Sequence, residues 1–318
     1  MLKFSVQLGS RGSIPDYSTL KDVFLECEQL GYDAVYLPDG LQWTDFECWT
    51  ALSNIAAFTK TLRLGPAATF FTYRHPALIA KMASTLDTLS DGRLELRLGA
   101  GGSGVLIDEK YCGIALPKPD ARVKMLEEGV QIIKELWLKE QATFRGKYFN
   151  VTDATCHPRP LQKPRPPITI CADGREMIKV AAKHADIWEA SLSLEAYERK
   201  AQVFERYCKK YGRDQDSIER SFEIIVAIAE NDREAKKMLD EHKRERAAAR
   251  GYGFDPLEHA IAGSPNRCAE DIIKYRRAGI SSFTIFFLGL KTLESLRLFA
   301  NQVIPIIKNT KSQDQTGG

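Results

Sequence analysis

The chain has 318 residues, of which 44% are hydrophobic and 27% are charged, and its formal net charge is only +3. This composition is that of a globular protein with a sizeable core, built as one large domain or two small ones. The near-neutral charge gives no electrostatic footprint for nucleic acid or an anionic membrane surface. We therefore expect a small-molecule substrate as partner, with neither nucleic acid nor membrane.

Cysteine usage and the amino end suggest where the protein works. The seven cysteines are scattered without a C-x-x-C pair, and the first residues, "MLKFSVQLGS", contain no long apolar signal core. No apolar run approaches the about eighteen residues that a membrane span needs. We therefore expect a cytoplasmic protein. The polar segment 309–318 predicts a flexible tail.

The first third of the chain alternates strand and helix patterns. In the first strand, apolar residues alternate with Lys3, Ser5 and Gln7. In the third helix, Pro76 suits a first-turn position and Gly92 a terminating one. This alternation is typical of parallel β/α units. Strands are predicted at 2–9, 33–37, 61–70 and 93–99, and helices near 20–30, 49–58 and 74–92.

The alternation resumes after two interruptions, at 103–119 and at 140–166, which flank a helix near 123–137. Four more strands are predicted at 167–174, 185–191, 222–229 and 281–289, with helices near 175–184, 194–211, 231–250, 266–278 and 291–307. Eight such strands predict an α/β fold of the (β/α)8 TIM-barrel type. We expect a single barrel domain over 1–308, with insertions near 103–119, 140–166 and 245–263.

A literal G-x-G-x-x-G occurs at Gly99, Gly101 and Gly104, directly after the fourth strand. A dinucleotide-binding fingerprint requires this turn to open a helix. Pro117 and Pro119 precede the next clear helical pattern, so the motif fails that requirement. We favour the alternative that these glycines, Gly101 among them, leave room for a flat cofactor at the rim where barrel active sites lie.

Several polar or aromatic residues follow the predicted strands and are candidates for the site. Asp39, at the end of strand two, is the strongest; Trp43 follows it and is either a substrate wall or a surface contact. Gln7 faces the barrel interior as a ligand group or a core contact, and His75 is a catalytic residue or a helix cap. The five histidines share no ligand spacing with a carboxylate, so we expect no protein-bound metal.

Strands three and four carry charges on the face that their leucines leave free. Leucines alternate with Arg63 in strand three and with Glu95 and Arg97 in strand four, and this alternation turns the three charges toward the barrel interior. Buried charges must be paired to be tolerated. The pattern therefore predicts a structural ionic layer in the lower barrel.

The stretch "RHPALIAKMASTLDTLSDGRLELRLGAGG", residues 74–102, resembles the luciferase-like monooxygenase superfamily. The likeness continues through "ARVKMLEEGVQIIKELWLKEQATFRGKYFNV" and "GSPNRCAEDIIKYRRAGISSFTIFF". Within the superfamily the chain is most similar to the coenzyme F420-dependent reductase and dehydrogenase branch, which includes methylenetetrahydromethanopterin reductase. The resemblance implies a (β/α)8 barrel whose cofactor is F420, a deazaflavin, with FMN as the alternative, and implies a homo-oligomer, often a dimer through helices two and three.

The resemblance also implies where the cofactor lies. Its ring would rest on a cis peptide at Ala67–Ala68 with Thr69 beside it, next to Asp39. Its phosphate would meet Ala172, Asp173, Gly174 and Ser191. Asp173 stands where glycine is commoner and brings a negative charge toward that phosphate unless the carboxylate turns away.

Two departures from the dehydrogenase relatives concern proton transfer. Gly40 stands where many of them have a histidine, and Gly102 where the sugar-phosphate enzymes have a glutamate. We expect an oxidoreductase that transfers a hydride between F420 and a small organic substrate at the carboxyl-end rim of the barrel. The alternatives are an FMN-dependent monooxygenase and a non-catalytic flavin-binding protein.

Overall fold

The structure is a computed structural model that describes residues 2–9, 14, 16–248, 256–289 and 293–314. Its strands are β1 Lys3–Gln7, β2 Ala34–Leu37, β3 Arg63–Pro66, β4 Thr69–Phe70, β5 Leu96–Gly99, β6 Ala142–Arg145, β7 Asn150–Ala154, β8 Ile168–Cys171, β9 Ile187–Ala190, β10 Glu219–Ile228, β11 Ile261–Gly263 and β12 Ser282–Phe287. Its α-helices are α1 Tyr17–Gln29, α2 Cys48–Phe58, α3 Pro76–Leu89, α4 Ser103–Cys112, α5 Pro119–Leu138, α6 Arg175–His184, α7 Leu194–Lys210, α8 Asp232–Ala248, α9 Pro265–Arg277, α10 Glu294–Leu298 and α11 Ile304–Asp314.

Parallel strands form the barrel in the order β3-β2-β1-β12-β10-β9-β8-β5, with β4 against β5. The two ends of this order meet where Leu64 of β3 pairs in parallel with Leu94, just before β5. The Leu64 N–H donates to the Arg93 carbonyl at 3.2 Å, and the Glu95 N–H donates to the Leu64 carbonyl at 3.0 Å. The prediction of a (β/α)8 TIM barrel is therefore confirmed.

Outward-facing apolar residues of the strands pack under the helices. Phe4 of β1 stacks on Phe283 of β12 and meets Phe299 edge-on, in the π-helical turn Phe299–Val303. Trp188 of β9 stacks on Phe204 of α7 with ring centroids 4.4 Å apart. Because side chains alternate along a strand, the apolar residues face the surrounding helices and the polar residues between them face the barrel interior.

The interior layer of charges is confirmed for Glu95 and Arg97, which are 9% and 1% exposed. Arg97 pairs with Glu189 of β9, which the sequence did not predict, and its guanidinium lies 4.0 Å from the centre of the Tyr36 ring. Arg63 is half-buried and donates instead to the Leu94 carbonyl at 2.8 Å.

Glu189 accepts hydrogen bonds from hydroxyl groups of two further strands. Its Oε2 accepts from Ser221 of β10 at 3.0 Å and from Thr284 of β12 at 2.7 Å. These hydrogen bonds satisfy the carboxylate side of the buried pair, whereas Arg97 Nε and Nη1 have no hydrogen-bond partner among the described residues and the guanidinium lies over the Tyr36 ring. The pair therefore links β5, β9, β10 and β12 through the barrel interior.

The expectation that no helix follows the glycine motif is wrong. Helix α4 begins at Ser103, directly after Gly102, and includes Gly104. The dinucleotide fold is excluded instead by the barrel, in which the motif follows the fourth barrel strand rather than the first strand of a Rossmann unit. Gly101 has φ +88°, a left-handed conformation that favours glycine, and a Cβ there would lie 2.8 Å from Val105.

The other interruptions are also structured. The excursion at 140–166 contains the antiparallel pair β6 and β7. In the predicted 245–263 insertion, β11 adds to β10 as a strand that the sequence did not reveal, while 249–255 lie outside the described residues. The predicted tail at 309–318 begins too early, because α11 continues to Asp314; residues 315–318 lie outside the described part. None of the described helices is long and apolar enough to span a membrane.

His75 caps helix α3. Its Nδ1 accepts a hydrogen bond from the Ala77 N–H at 3.2 Å, Pro76 occupies the first turn, and the imidazole edge lies against the Phe149 ring with centroids 5.3 Å apart. Burial lowers the pKa of His75 below its usual value, which favours the neutral, accepting form. Of the two roles open from the sequence, this geometry supports the helix cap.

The ion pair predicts a large cost for removing one charge. Glu189→Gln leaves Arg97 buried without its counter-charge, and we expect a loss of about 3 to 5 kcal/mol in the free energy of unfolding. The control is Glu219→Gln, which breaks the pair with Lys3 where the side chains are 24% and 46% exposed, and should cost about 0 to 1 kcal/mol. Urea unfolding at pH 7.5 measures both. Equal losses would contradict a structural ionic layer.

The cap predicts that His75 contributes to the stability of the folded protein in a pH-dependent way. Asparagine is a good N-cap, so His75→Asn should preserve stability at pH 7.5, whereas His75→Ala should lose about 1 kcal/mol. Because the folded pKa is lowered, the unfolded chain protonates first; the stabilisation is therefore complete above about pH 6.5 and declines as the pH falls toward the folded pKa.

Thermal unfolding at pH 7.5 and 5.5 measures this difference. Wild type should lose more stability than His75→Asn between the two pH values. A parallel decline in both proteins would show that the imidazole does not carry the cap.

Candidate active site

The predicted site residues meet at one rim of the barrel. Asp39 follows β2, Ala67 and Ala68 follow β3, Gly101 follows β5, Asp173 follows β8, and Ser191 follows β9. Because the strands are parallel, their carboxyl ends all open onto the same face, which is where barrel enzymes place their chemistry. We describe this face as the mouth of the barrel.

Asp39 is the best-connected side chain of the mouth and is 2% exposed. Its Oδ2 accepts from Thr69 Oγ1 at 2.8 Å, from Arg74 Nη1 at 2.7 Å and from Trp49 Nε1 at 3.4 Å. Burial raises the pKa of Asp39 above its usual value, while the Arg74 charge and the Thr69 hydrogen bond oppose that rise. Arg74, which the sequence did not single out, also pairs with Glu47 at 3.1 Å. The carboxylate is thus fixed in orientation between the ends of β2 and β4.

Small residues lie near Asp39, after β3 and at the end of β5. The peptide between Ala67 and Ala68 is cis, as the resemblance implied. A Cβ on Gly99 would lie 3.5 Å from the Ala68 Cβ and 3.1 Å from the Phe70 ring, so position 99 lies directly against these two side chains. Thr69, fully buried, turns its hydroxyl to Asp39. With no side chain larger than methyl at 67, 68, 99 and 101, this floor, which we call the alanine floor, fits a planar ring.

Gln7 adds a hydrogen-bond acceptor on the inner face of the mouth. Its Oε1 is buried and has no hydrogen-bond partner in the part of the chain that the structure describes. Glu223, on the inward face of β10, has its pKa raised by burial, with Arg97 and the Gln7 amide opposing the rise. Buried acceptors in native proteins are rarely left unpaired. An N–H on a bound ligand would satisfy this one. Glu223 was not singled out from the sequence, although alternation in the strand 222–229 was a signal that could have found it.

Trp43 is half-buried, and its Nε1 donates to Asp108 of α4 at 3.1 Å. Asp108 is fully buried and also accepts from the Leu41 N–H at 3.1 Å, from the Gln42 N–H at 2.7 Å and from the Tyr73 hydroxyl. The sequence did not single out Asp108 or Tyr73. The only signal for Asp108 was an acidic residue in a segment whose helical character was missed.

The residues predicted to meet a phosphate lie together, but two of their amides are already used. The Ala172 N–H donates to the Glu189 carbonyl, and the Ser191 N–H donates to Asp173 Oδ1 at 2.9 Å. Burial raises the pKa of Asp173 to about 6. Gly174 is the N-cap of α6 and makes no side-chain cap, so the first-turn amides of this helix are the donors that remain for an anion.

Comparison with known proteins identifies the relatives of this chain. The family described as luciferase-like monooxygenase matches residues 1–282. The F420-dependent glucose-6-phosphate dehydrogenase of Kineococcus radiotolerans is 27% identical over 339 aligned residues, which cover 95% of this chain and 97% of that protein.

Two solved structures share the fold. An F420-dependent secondary alcohol dehydrogenase in complex with an F420-acetone adduct has a TM-score of 0.82 at 18% identity and covers 96% of this chain and 99% of that one. The coenzyme F420-dependent tetrahydromethanopterin reductase of Methanopyrus kandleri has a TM-score of 0.80 at 20% identity, with the same coverage. Since the family match spans most of the sequence, the chain belongs to the luciferase-like monooxygenase family.

Proposed function

We propose that this protein is an F420-dependent oxidoreductase that transfers a hydride between the deazaflavin and a small organic substrate at the mouth of the barrel. The observation that carries the proposal is the alanine floor, which lies beside the fixed carboxylate of Asp39. The same mouth holds the Gln7 Oε1, which has no hydrogen-bond partner among the described residues. The names of the curated relative and of both fold neighbours, all F420-dependent, support the same coenzyme.

The coenzyme would be held by three groups of residues. Ala67, Ala68 and Gly101 would lie against the ring, with Thr69 holding Asp39 in place, and the Gln7 Oε1 would accept a ring N–H. The phosphate would meet the segments 172–174 and 191, chiefly through the amino end of α6. When bound, the coenzyme supplies the carbon that carries the hydride.

The residues at the strand ends contribute orientation rather than a dedicated acid. Gly40 and Gly102 offer no proton-transfer group, and the Asp39 carboxylate receives three donors on one oxygen, so it acts as an acceptor that orients its neighbours. Trp43 forms a wall of the pocket. His75 is excluded from this chemistry in the proposal, because its ring nitrogen caps α3.

The proposal also includes a cytoplasmic location and a homodimer through α2 and α3. The support for this face is its exposed apolar surface: Leu78 and Leu89 of α3 are 51% and 56% exposed. Single exposed leucines are common on monomers, so the dimer stays a prediction.

Parallel fluorescence titrations with F420 and FMN test the cofactor. We expect F420 to bind and its oxidised absorbance to decrease with an oxidisable alcohol, because the alanine floor and Gln7 fit its ring. Tight FMN binding with oxygen consumption would instead indicate the monooxygenase alternative. Binding of either cofactor without turnover across a panel of alcohols and carbonyl compounds would indicate the non-catalytic one.

The position of Asp173 predicts that coenzyme affinity depends on pH. With a pKa of about 6, Asp173 is ionised at pH 7.5 and repels the coenzyme phosphate, and it is mostly protonated at pH 5.5. Asp173→Asn keeps an acceptor for the Ser191 N–H but removes the charge. A like-charge repulsion of about 1 kcal/mol corresponds to about fivefold in affinity. The variant should therefore bind F420 about fivefold more tightly at pH 7.5, and this advantage should shrink at pH 5.5.

Dissociation constants at both pH values measure the effect, since binding is read without turnover. Asp216→Asn is the matched control, because Asp216 is an exposed aspartate that precedes β10 at the opposite end of the barrel. Equal F420 affinities of wild type and Asp173→Asn at pH 7.5 would show that the coenzyme phosphate does not bind near Asp173.

A further inference from the structure

The inward-facing residues of the barrel form two layers that differ in their access to water. The lower one, which we call the sealed layer, is at most 4% exposed and consists of Ser5, Arg97, Thr169, Glu189, Ser221 and Thr284. Two residues further along the chain from each of these lies the open layer, which consists of Gln7, Gly99, Cys171, Ser191, Glu223 and Phe286. Apart from Gly99, every member of the open layer is partly exposed. Because the sealed layer lies beneath it, water reaches the open layer from the mouth.

Glu223 provides the carboxyl group of the open layer. Its neighbours in β10, Phe222 and Ile224, are 1% and 3% exposed and face outward, so Glu223 turns toward the barrel interior. The Gln7 side chain hydrogen-bonds to Glu223, and burial raises the pKa of Glu223 against the opposing charge of Arg97. A carboxyl group that water reaches, and whose protonated form is favoured by burial, is suited to taking up and releasing a proton.

The strand order places Glu223 opposite the alanine floor. Counted around the closed barrel, β10 is the fourth strand from β3 in either direction, through β2, β1 and β12 or through β5, β8 and β9. Ala67 and Ala68 of the floor follow β3 directly. A planar ring with one face on this floor therefore turns its other face toward β10. A substrate that binds over that free face has Glu223 on its far side.

Four other acid–base groups described near the mouth are already engaged. Asp39 receives three donors on one oxygen, and the Tyr73 hydroxyl donates to Asp108, which raises the pKa of Tyr73. The His75 Nδ1 caps α3. Burial raises the pKa of the Cys171 thiol to about 12, so this member of the open layer stays protonated near neutral pH. None of the four is free to exchange a proton with a substrate.

We propose that Glu223 is the acid–base residue of the mouth and exchanges the proton of a substrate whose reacting carbon carries a hydroxyl group. In the oxidation of such a substrate the C–H bond breaks, and its hydride passes with both electrons to the coenzyme. The O–H bond also breaks: its electron pair forms the C=O bond, and its proton goes to the Glu223 carboxylate, which releases it to water in the mouth. In the reverse reaction protonated Glu223 donates to the carbonyl oxygen. The inference rests on the proposed function for the hydride transfer.

Glu223→Gln tests the role, because it keeps the volume of the side chain and removes its exchangeable proton. With the alcohol that turns over best in the panel, kcat should fall at least about a hundredfold. The dissociation constant of F420 should change less than about threefold, since the coenzyme is held by other residues. Glu219→Gln is the matched control, the same substitution at the first residue of β10, where Glu219 pairs with Lys3; it should leave kcat unchanged.

The pH profile separates a proton-transfer role from a structural one. Oxidation needs the carboxylate, so kcat should decline as the pH falls through the raised pKa of Glu223, and this limb should be absent from Glu223→Gln. The pKa of Asp173 is raised to about 6, in part by Glu223, so the profile is repeated in Asp173→Asn, where the limb should persist. The other ionisable groups facing the interior around Glu223 are present in every protein compared; they are Tyr36, Glu95, Arg97, Cys171 and Glu189.

Two further measurements do not depend on the rate of Glu223→Gln. Infrared difference spectra of the protein without coenzyme, recorded from pH 8 to pH 4, should show a protonated carboxyl band that is lost in Glu223→Gln. This band should titrate above pH 4.3, the approximate pKa of a free glutamate. In Glu223→Ala, added formate should restore turnover several-fold, because a small acid enters the space that the side chain leaves; Glu223→Gln, in which that space is filled, should not respond.

Three results would each overturn the inference: unchanged kcat in Glu223→Gln, a persistent pH limb in that variant, or no carboxyl band that depends on Glu223. A fall in kcat matched by an equal loss of F420 affinity, without formate rescue of Glu223→Ala, would assign Glu223 a structural role instead. Failure of the proposed function is distinguishable, because it would appear as absent F420 binding or turnover in wild type while the infrared band of Glu223 remained.

Discussion

The buried ion pair between Arg97 and Glu189 is the interaction on which the geometry of the mouth depends. It joins β5 to β9 through the barrel interior, and the hydroxyls of Ser221 and Thr284 join β10 and β12 to the same carboxylate. Charges without water around them tolerate little displacement, because each lost hydrogen bond leaves a desolvated group. The pair therefore holds four strands in one register, and this register sets where the loops carrying the site begin.

Features with a short period in the sequence could be predicted. The two-residue period of the strands correctly placed Glu95 and Arg97 inside the barrel. The regular alternation of strand and helix patterns predicted the TIM barrel. The cis peptide at Ala67–Ala68 came from family resemblance, since nothing in two alanines reveals it locally. Local pattern thus gave the scaffold, and resemblance gave one feature of the site.

The partners within the site could not be predicted, because they are distant in sequence. Arg74 meets Asp39 across 35 positions, Asp108 meets Gln42 across 66, and Arg97 meets Glu189 across 92. Helix α4 was missed for a related reason. Its apolar residues lack clear periodicity and its first turn contains glycine, so tertiary hydrogen bonds to Asp108 contribute what local propensity does not.

The G-x-G-x-x-G motif shows that the interpretation of a glycine pattern depends on which groups occupy the space beside the glycines. Gly99 admits Phe70 and Ala68, Gly101 adopts a left-handed turn, and Gly104 admits the indole of Trp43. A phosphate-binding loop uses the same spacing to expose backbone amides to an anion. Here the neighbouring space holds side chains of the protein itself: Phe70 and Ala68 at Gly99, Val105 at Gly101 and Trp43 at Gly104. The glycines that imitate a dinucleotide site therefore lie against side chains of the protein itself.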